Sequence, residues 1–274
     1  MFKKIGIIAR VDRKDAVDVA LDLASFLDEK HLDVILDSDL ARHANRSGVP
    51  LNSIVADMIV TVGGDGTILR AVHGLTHKAP ILAVRMGLVG FLADVEPEQA
   101  REALDLALEG KATRDYCSTL ETNLGLPPAL NEVRVGTEVP QEMVGMSVLL
   151  DGREISRDRV DALLVSTTTG SSAYALSAGG SVLDSRLEAL VVVPVSPLSP
   201  NFKPHVVPSN VEVTIRPFTA VDLMVLVDGR FQKRVPPLTE VKVRKSEAGI
   251  TFLRTRDNFY ERLWRRLASS ANPT

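Results

Sequence analysis

The first part of the chain alternates short apolar runs with stretches of helical periodicity. Apolar runs suited to strands buried on both faces occupy residues 5–8, 34–36, 58–62 and 81–84. Between the first two runs, one helical face collects the apolar side chains of Ala16, Val19, Ala20, Leu23 and Leu27. A further helix is predicted over residues 97–108. This alternation predicts a Rossmann-like parallel sheet covered by helices.

The pattern changes after Gly110 to many short strands. The clearest of them occupy residues 147–150, 163–166, 190–193, 211–215 and 223–227. Asp151-Gly152 and Asp228-Gly229 each lie between β-rich runs. A type I′ turn requires positive φ at both central positions, so these pairs predict two tight hairpins. This part of the chain is therefore predicted to be an all-β-type domain.

Helical spacing returns over residues 258–267, where Phe259, Leu263 and Leu267 share one face. A helix with such a face is expected to dock on a core. The predicted organisation is an α/β domain over residues 1–96, a β-rich domain over 97–254, and a helix over 255–270 that packs back on the α/β domain.

Composition narrows the range of functions. The 274-residue chain is 45% hydrophobic and 24% charged, and its formal net charge of −3 provides no general basic field for nucleic acid. The lone Cys117 excludes an internal disulfide framework and a cysteine-cluster zinc site, and we predict a buried thiol. His73 and His77 have i, i+4 spacing without a third ligand, so we assign them to a helix surface.

The sequence shows no export or membrane-spanning pattern. Lys3 and Lys4 precede an apolar strand that is too short for the core of a signal peptide. No stretch approaches the roughly 20 apolar residues that cross a bilayer. We therefore expect a soluble, cytoplasmic protein with neither a membrane nor a nucleic-acid partner.

The clearest chemical motif is Gly63-Gly64-Asp65-Gly66-Thr67, between an apolar run and helical spacing. Glycine lets the backbone approach a ligand closely, and the amides and partial positive charge at the start of a helix suit phosphate oxygens. The glycine spacing matches neither the dinucleotide fingerprint nor a Walker A loop. Such glycines also occur in ordinary turns, but three of them around a carboxylate favour a polyphosphate site.

Two further motifs lie in the β-rich part. Asn131-Glu132 places an amide beside a carboxylate, which suits ribose hydroxyls or a base edge, although a loop-to-strand boundary also explains the pair. Residues 161–180 combine a buried strand, a hydroxyl-rich turn, a small-residue helix and two glycines. The turn could hold phosphates or a nucleoside, with Tyr174 as an aromatic face, and a capped helix is the alternative.

Together these motifs resemble the NAD kinase family, whose pattern is a GGDGT loop, a later Asn-Glu pair and a TPTGSTAYSLSAGG segment preceded by an aspartate. Order and spacing both agree. Residues 87–92, residues 204–208 and the Asp228-Gly229 pair also match, so the resemblance spans residues 5 to about 230. It implies transfer of the terminal phosphoryl group of ATP, or of polyphosphate, to the 2′-hydroxyl of the adenosine ribose of NAD.

The resemblance also implies roles for individual residues. Asp65 is the general base that takes the proton of the ribose 2′-hydroxyl, and Gly66 lines the NAD site. The adenosine half is assigned to Phe91, Asn131 and Glu132, and the nicotinamide half to Asp161, Tyr174 and Ser177. The turn between the halves is assigned to Ser172 and Ala173, and the further residues assigned to the nucleotide site are Thr169, Ala175 and Leu176. The arginines assigned to the nucleotide site are Arg70, Arg159 and Arg230.

The expected metal is Mg²⁺, carried by ATP and bridging the donor phosphates, with few protein ligands. The expected partners are NAD and ATP as substrates. A homodimer or homotetramer is implied as well, because family members share the NAD pocket between subunits.

The chain departs from the family pattern at four positions, which leaves the donor and the acceptance of NADH open. The departures are Arg85 for asparagine, Ala162 for glycine, Thr168 for proline and Arg230 for glutamine; Leu88 could alter the adenine pocket with Arg85. Lipid kinases and phosphofructokinases share the GGDG loop, so a kinase of another small hydroxylated substrate is one alternative. A non-catalytic nucleotide-binding sensor is the other.

Overall fold

The computed structural model describes residues 2–87, 90–138, 142–256 and 259–271. They form two compact units. One contains the residues up to Tyr116 together with those from Ile250 onward, and the other contains Cys117–Gly249. Within the described ranges, no helix has both the length and the apolar composition needed to cross a bilayer.

The helices and strands follow one another in this order. The first unit contains β1 (Lys4–Ala9), α1 (Lys14–Glu29), β2 (Asp33–Leu36), α2 (Ser38–Ala44), β3 (Met58–Gly63), α3 (Asp65–Gly74), β4 (Ile81–Arg85) and α4 (Ala100–Leu108). The chain enters the second unit along β5 (Thr113–Thr122). There it forms β6 (Glu132–Gly136), β7 (Val144–Leu150), β8 (Arg153–Val160), β9 (Ala162–Ser166), α5 (Tyr174–Ser177), β10 (Ala189–Val195), β11 (His205–Pro208), β12 (Val213–Pro217), β13 (Leu223–Val227) and β14 (Phe231–Val235). The last two elements are β15 (Val241–Arg254), which returns to the first unit, and α6 (Phe259–Ala271).

The first unit is built on a parallel sheet with the strand order β2-β1-β3-β4, and the end of β15 pairs in parallel with β4. Every residue of β3 is buried, as is typical of a parallel strand with both faces covered. Met58, Val60 and Val62 share a core with the apolar faces of α1 and α4. The predicted parallel α/β arrangement is confirmed.

Helix α4 and residues 250–254 lie in the first unit, whereas the sequence-based division places both in the β-rich domain over 97–254. The buried face of α4 explains its position, because Ala100, Ala103 and Leu104 join the same core as β3. A helix of this kind carries no sequence signal for which of two neighbouring cores it covers.

The second unit stacks two antiparallel sheets. One has the order β11-β10-β9-β6-β13-β14, and the other joins β8, β7 and β12 to the part of β15 that precedes Ile250. Residues of both sheets, among them Met146 and Val165, bury one common core. The other face of β9 is covered as well, since Leu164 packs with Ala175 of α5. The predicted all-β-type domain is confirmed.

Both Asp-Gly pairs adopt the predicted turn conformation. The φ angles are 46° and 81° at Asp151 and Gly152, and 49° and 62° at Asp228 and Gly229. The first loop has two residues, whereas β13 and β14 pair through Val227 and Phe231, which leaves a longer loop. Asp228 in this loop continues the pairing with β6, since its N–H donates to the carbonyl of Glu132 at 3.0 Å.

The C-terminal helix is present, and its burial differs from the prediction. Residue 258, where the predicted spacing begins, lies outside the described residues. Phe259 is buried and packs edge-on against Phe91, with ring centroids 5.6 Å apart. Leu267 is exposed, so the predicted apolar face is buried only at its start. The lone Cys117 is buried, as predicted.

Candidate functional site

The turn between β3 and α3 carries the glycine motif of the first unit. A Cβ added at Gly63 would lie 2.2 Å from the Thr67 hydroxyl, so packing within the turn excludes a side chain there. A Cβ added at Gly64 meets nothing within 4 Å, and its backbone is extended with φ of −100°. The fold therefore leaves open space over Gly64 at the start of α3, the kind of position at which proteins bind phosphate groups.

Asp65 is the first residue of α3, and its carboxylate is held by two backbone amides. The Phe91 N–H donates to Oδ2 at 2.9 Å, and the Leu92 N–H donates to Oδ1 at 3.1 Å. A Cβ added at Gly90 would lie 3.3 Å from Oδ1. A carboxylate has about four acceptor positions, so Asp65, which is partly exposed, keeps the capacity to accept a further proton.

The turn that holds Asp65 is itself anchored by Arg254, which the sequence did not single out. The Arg254 guanidinium donates to the Leu92 carbonyl at 2.7 Å and to Asp94 at 2.9 Å. It also donates to Asp115 at 3.0 Å. Asp94 is almost completely buried, so this ion pair fixes the chain directly after Leu92. Leu88, which was expected to affect the adenine pocket together with Arg85, and Val89 lie outside the described residues.

The predicted phosphate-binding Arg70 lies on α3 and makes internal contacts. Its guanidinium donates to Asp37 and to Asp39 at 3.0 Å each, and to the Ala9 carbonyl at 2.9 Å. Asp37 also caps α2 through two backbone amides. These contacts give Arg70 a structural role in the first unit, and its contact with phosphate stays a prediction.

Two other arginines that the sequence did not identify lie near Gly63 and near Gly87, respectively. The Arg10 N–H donates to the Val62 carbonyl at 2.9 Å, which places Arg10 beside the end of β3. A terminal guanidinium nitrogen of Arg13 lies 3.2 Å from a Cβ added at Gly87. Arg10 is exposed and Arg13 is partly exposed, and they form ion pairs with Asp12 and with Asp15, respectively.

In the second unit, Asn131 and Glu132 are held by Asp228. The Asp228 carboxylate accepts the N–H groups of Leu130, Asn131 and Glu132 at 2.8, 2.8 and 3.0 Å. Sequence spacing could not reveal this contact, since about 97 residues separate Asp228 from Asn131. The sequence predicted the Asp-Gly turn, but it did not predict that the Asp228 carboxylate accepts the amides of residues 130–132.

Glu132 is an unusual carboxyl group. The residue is 8% exposed, and within the described part of the chain its Oε2 has no hydrogen-bond partner. Burial, followed by the nearby negative charge of Asp228, raises the pKa of Glu132 from 4.5 to about 7. A carboxyl group of this kind carries a proton during part of the time at neutral pH and can then donate a hydrogen bond.

The hydroxyl-rich turn after β9 packs against the same backbone. The Thr167 N–H donates to the Asn131 carbonyl at 2.9 Å, and its hydroxyl donates to the Leu130 carbonyl at 2.7 Å. A Cβ added at Gly170 would lie 2.1 Å from the Asn131 carbonyl oxygen, so only glycine fits there. The structure therefore brings the second and third sequence motifs together.

The predicted hydroxyl ligands of this turn are buried. The Ser172 hydroxyl donates to the Thr169 carbonyl at 3.2 Å, and both residues are buried. Ser171 donates in the same way to the Thr168 carbonyl, at 2.6 Å. Contacts of Thr169 and Ser172 with a ligand stay predictions. Thr168, the departure from the family pattern, is buried too.

The following helix, α5, presents its residues in two directions. Ala175 is buried in the core beneath α5, where it packs with Leu164. The exposed residues are Tyr174 and Ser177, and the partly exposed ones are Ala173 and Leu176. The structure thus brings Tyr174 and Ser177 to one surface, as the predicted nicotinamide contact requires.

Three predicted residues lie elsewhere in the second unit. Arg159 is exposed at the end of β8, and Asp161 is partly exposed just before β9. Asp161 and Thr167 flank β9, so they lie about 20 Å apart along the chain at the usual rise of a strand. Arg230 is exposed in the loop that contains Asp228.

Known proteins give a clear family match. Residues 5–112 match the model of the ATP-NAD kinase N-terminal domain, and residues 130–255 match that of the C-terminal domain. The chain is 39% identical over 268 residues to the NAD kinase of Thermococcus gammatolerans, with 94% of this chain and 96% of that protein covered. It is 36% identical to the NAD kinase of Pyrococcus furiosus, with the same coverage of both chains.

Solved structures agree. The crystal structure of an NAD kinase from Archaeoglobus fulgidus in complex with ATP superimposes with a TM-score of 0.80 at 26% identity, and covers 96% of this chain and 98% of its own. A yeast NADH kinase complexed with NADH has a TM-score of 0.85 at 22% identity, covers 98% of this chain and 89% of its own, and supports the fold alone.

Proposed function

The chain belongs to the NAD kinase family, an ATP-dependent group that phosphorylates NAD to NADP, and we propose that Asp65 is the general base of this reaction. The observation that carries the proposal is the carboxylate of Asp65, oriented by the Phe91 and Leu92 amides beside the open space over Gly64. A general base must lie where its proton donor binds, and it contributes about 10² to 10⁴ in rate.

The proposed step is a direct phosphoryl transfer. The 2′-hydroxyl of the adenosine ribose gives its proton to Asp65 while its oxygen bonds to the terminal phosphorus of ATP. The bond from that phosphorus to the bridging oxygen breaks, and ADP leaves with the electron pair. Phosphoryl transfer depends mainly on positioning and charge neutralisation, so the protein needs no covalent intermediate.

The turn at the start of α3 is the proposed site of the donor phosphates. The open space over Gly64 lies at the start of α3, and the positive end of the α3 dipole attracts phosphate groups there. Mg²⁺ that is bound with a nucleotide usually keeps water and phosphate ligands and needs few protein ligands, which is compatible with Asp65 acting as the base. The described residues contain no cluster of three or more His, Cys, Asp or Glu side chains that could hold a metal. Bound with ATP, Mg²⁺ would neutralise phosphate charge.

The proposed NAD site uses the motifs of the second unit. Asn131 and Glu132 would contact the adenosine half, and the surface of Tyr174 and Ser177 would face the nicotinamide half. The contact of Asn131 with the Thr167 turn supports a common site for these motifs. Polyphosphate as donor and NADH as acceptor belong to the same proposal, and cytoplasmic localisation stays a prediction from the sequence.

A homodimer or homotetramer is also proposed. The supporting observation is the separation of Asp161 from the Thr167 turn by the length of β9, because a second copy could supply Asp161 to the nicotinamide half. Light scattering measures the mass in solution. A monomer with full activity would overturn this part of the proposal.

Asp65→Asn tests the proposed base. NADP formation from NAD, ATP and Mg²⁺ should fall about 10²- to 10⁴-fold, while calorimetry should show that NAD still binds. Asp57→Asn is the matched control, since Asp57 also accepts two backbone amides, from Lys3 and Lys4, but precedes β3. The control should keep its activity.

Parallel assays with polyphosphate and with NADH define the donor and the acceptor. Activity of Asp65→Asn within threefold of wild type would contradict the proposed base. A wild-type protein that binds NAD but forms no phosphorylated product with any donor would instead be a non-catalytic sensor.

A further inference from the structure

Asp228 links three segments of the second unit. Its carboxylate accepts the N–H groups of Leu130, Asn131 and Glu132, and its own N–H donates to the Glu132 carbonyl. A carboxylate that accepts backbone N–H groups makes charge-assisted hydrogen bonds, which are stronger than neutral ones. The Asp228 hairpin therefore fixes the backbone on which Asn131 and Glu132 lie.

The fixed backbone in turn supports the hydroxyl-rich turn. The Asn131 carbonyl accepts the Thr167 N–H at 2.9 Å and the Ser166 hydroxyl at 3.1 Å, and Gly170 packs directly against it. A displacement of Asn131 would move the Thr167 turn as well. Asp228 is only 7% exposed, and its oxygens are occupied by these amides, so it acts on a ligand through its neighbours.

Glu132 is the neighbour most sensitive to Asp228. Its carboxyl is buried, with Oε2 lacking a hydrogen-bond partner within the described part of the chain. The strand opposite places the neutral Ser166 across from it, and the Thr167 turn offers hydroxyls. The charged residues on the elements around Glu132 are Asp228 and the exposed Arg230 in the hairpin and Arg134 on β6 itself. Of these, Asp228 is the one whose charge shifts the pKa of Glu132. The combination of burial and the Asp228 charge raises the pKa of Glu132 to about 7.

We propose that Asp228 is a positioning residue of the NAD site, which holds Asn131 and Glu132 in place and so orients the buried Glu132 carboxyl to donate a hydrogen bond to NAD when it is protonated. The inference rests on the proposed function, since it takes Glu132 as a contact to the adenosine half. Ionisation of Glu132 removes the donor and places a second negative charge beside Asp228. NAD affinity therefore falls as the pH rises above 7.

The experiment measures the Kd for NAD by calorimetry from pH 6 to pH 8. If NAD binds only the neutral form of Glu132, the Kd of the wild type rises about tenfold over this range, because one proton is lost. Glu132→Gln keeps a hydrogen-bond donor that cannot ionise, so its Kd for NAD should be the same at pH 6 and at pH 8. The absolute value of that Kd relative to wild type does not matter for the test.

Asp228→Asn keeps the size of the side chain and removes its charge. It should weaken NAD binding at pH 7, and the rise in Kd should begin at a lower pH than in wild type, because Glu132 then ionises more readily. The KM for NAD should change more than kcat. A merely structural role would weaken binding without moving the midpoint. Asp151→Asn, in the other Asp-Gly hairpin, is the matched control.

Two results would overturn the proposal: a Kd for Glu132→Gln that rises with pH as in wild type, or an Asp228→Asn midpoint equal to that of wild type. If Asp228→Asn does not fold, Asp228→Glu replaces it: this variant keeps the negative charge but shifts the carboxylate away from the three amides, so it should weaken NAD binding, and an unchanged Kd would overturn the positioning role. Binding is read without turnover, so a failure of Asp65 as the base leaves this test intact.

Discussion

Each unit of this chain contains an aspartate whose carboxylate accepts backbone amides and so holds a turn. The two aspartates differ in how accessible the carboxylate is to a ligand. Asp65 accepts two amides, from Phe91 and Leu92, and stays partly exposed at the start of a helix. Asp228 accepts three amides and is buried beside a second carboxyl. An accessible carboxylate can take a proton from a ligand, whereas a buried one that already accepts three amides acts by positioning its neighbours.

The comparison also shows how each turn is supported. Arg254 holds the segment of Phe91 and Leu92, because its guanidinium donates to the Leu92 carbonyl and forms an ion pair with the buried Asp94. The backbone of Asn131 packs closely against Gly170. An ion pair supports the Asp65 turn of the first unit, whereas in the second unit steric fit at Gly170 adds to the hydrogen bonds from Asp228.

The largest effect is expected for Arg254→Met. Loss of the guanidinium leaves the buried Asp94 carboxylate without its ion pair, which should lower the free energy of unfolding by about 3–5 kcal/mol in urea titrations. Because Leu92 loses its anchor, kcat should fall as well. Arg101→Met, which breaks the exposed pair with Asp22, should cost at most about 1 kcal/mol. Equal costs for the two variants would show that the Asp65 turn does not depend on Arg254.

The next effect concerns Glu132→Gln and depends on pH. The folded-state pKa of Glu132 is raised from 4.5 to about 7, so stability present below pH 4.5 is lost as the pH rises to about 7. At 1.36 kcal/mol per pKa unit, the loss is about 3 kcal/mol. Glutamine does not ionise, so between pH 4.5 and pH 8 the unfolding free energy of Glu132→Gln should gain about 3 kcal/mol relative to wild type. A constant difference across this range would mean that Glu132 is ionised in the folded protein.

The smallest effects distinguish the two glycines beside the two turns. Gly170→Ala should destabilise the protein by about 1–3 kcal/mol, because its Cβ would meet the Asn131 backbone at 2.1 Å. Gly64→Ala should change stability by no more than about 0.5 kcal/mol, since nothing lies within 4 Å of the added Cβ, yet it should reduce activity if the donor phosphates bind there. Thermal unfolding measures the stability of the two variants, and NADP formation measures their activity. Full activity of Gly64→Ala would contradict the proposal that the donor phosphates bind at this turn.

Much of the fold follows from local patterns. The strands of the parallel sheet, the helix after the glycine motif and the positive φ angles at Asp151 and Asp228 all depend on neighbours in sequence. The candidate site was partly visible for the same reason, since Gly63 to Gly66 and Thr167 to Ser172 are continuous runs. The family resemblance, and with it the reaction, rested on these runs and was confirmed.

The remaining features involve residues far apart along the chain. Arg70 was predicted to meet phosphate, and its pairing with Asp37 joins residues separated by 33 positions. Leu267 was predicted to be buried, but the helix turns it to the surface. Periodicity identifies which residues of a helix share a face, but not how far along the helix that face stays covered.

The sequence by itself determined the alternation of elements, the turns and the chemistry of the motifs, because each is set by side chains a few positions apart. Only the tertiary structure decided which groups hold those motifs in place. Asp228 reaches Asn131, and Arg254 reaches Leu92, across 97 and 162 positions. Such pairs form only when the sheets have assembled, since a hydrogen bond requires two groups within about 3 Å, and residue spacing does not report that distance.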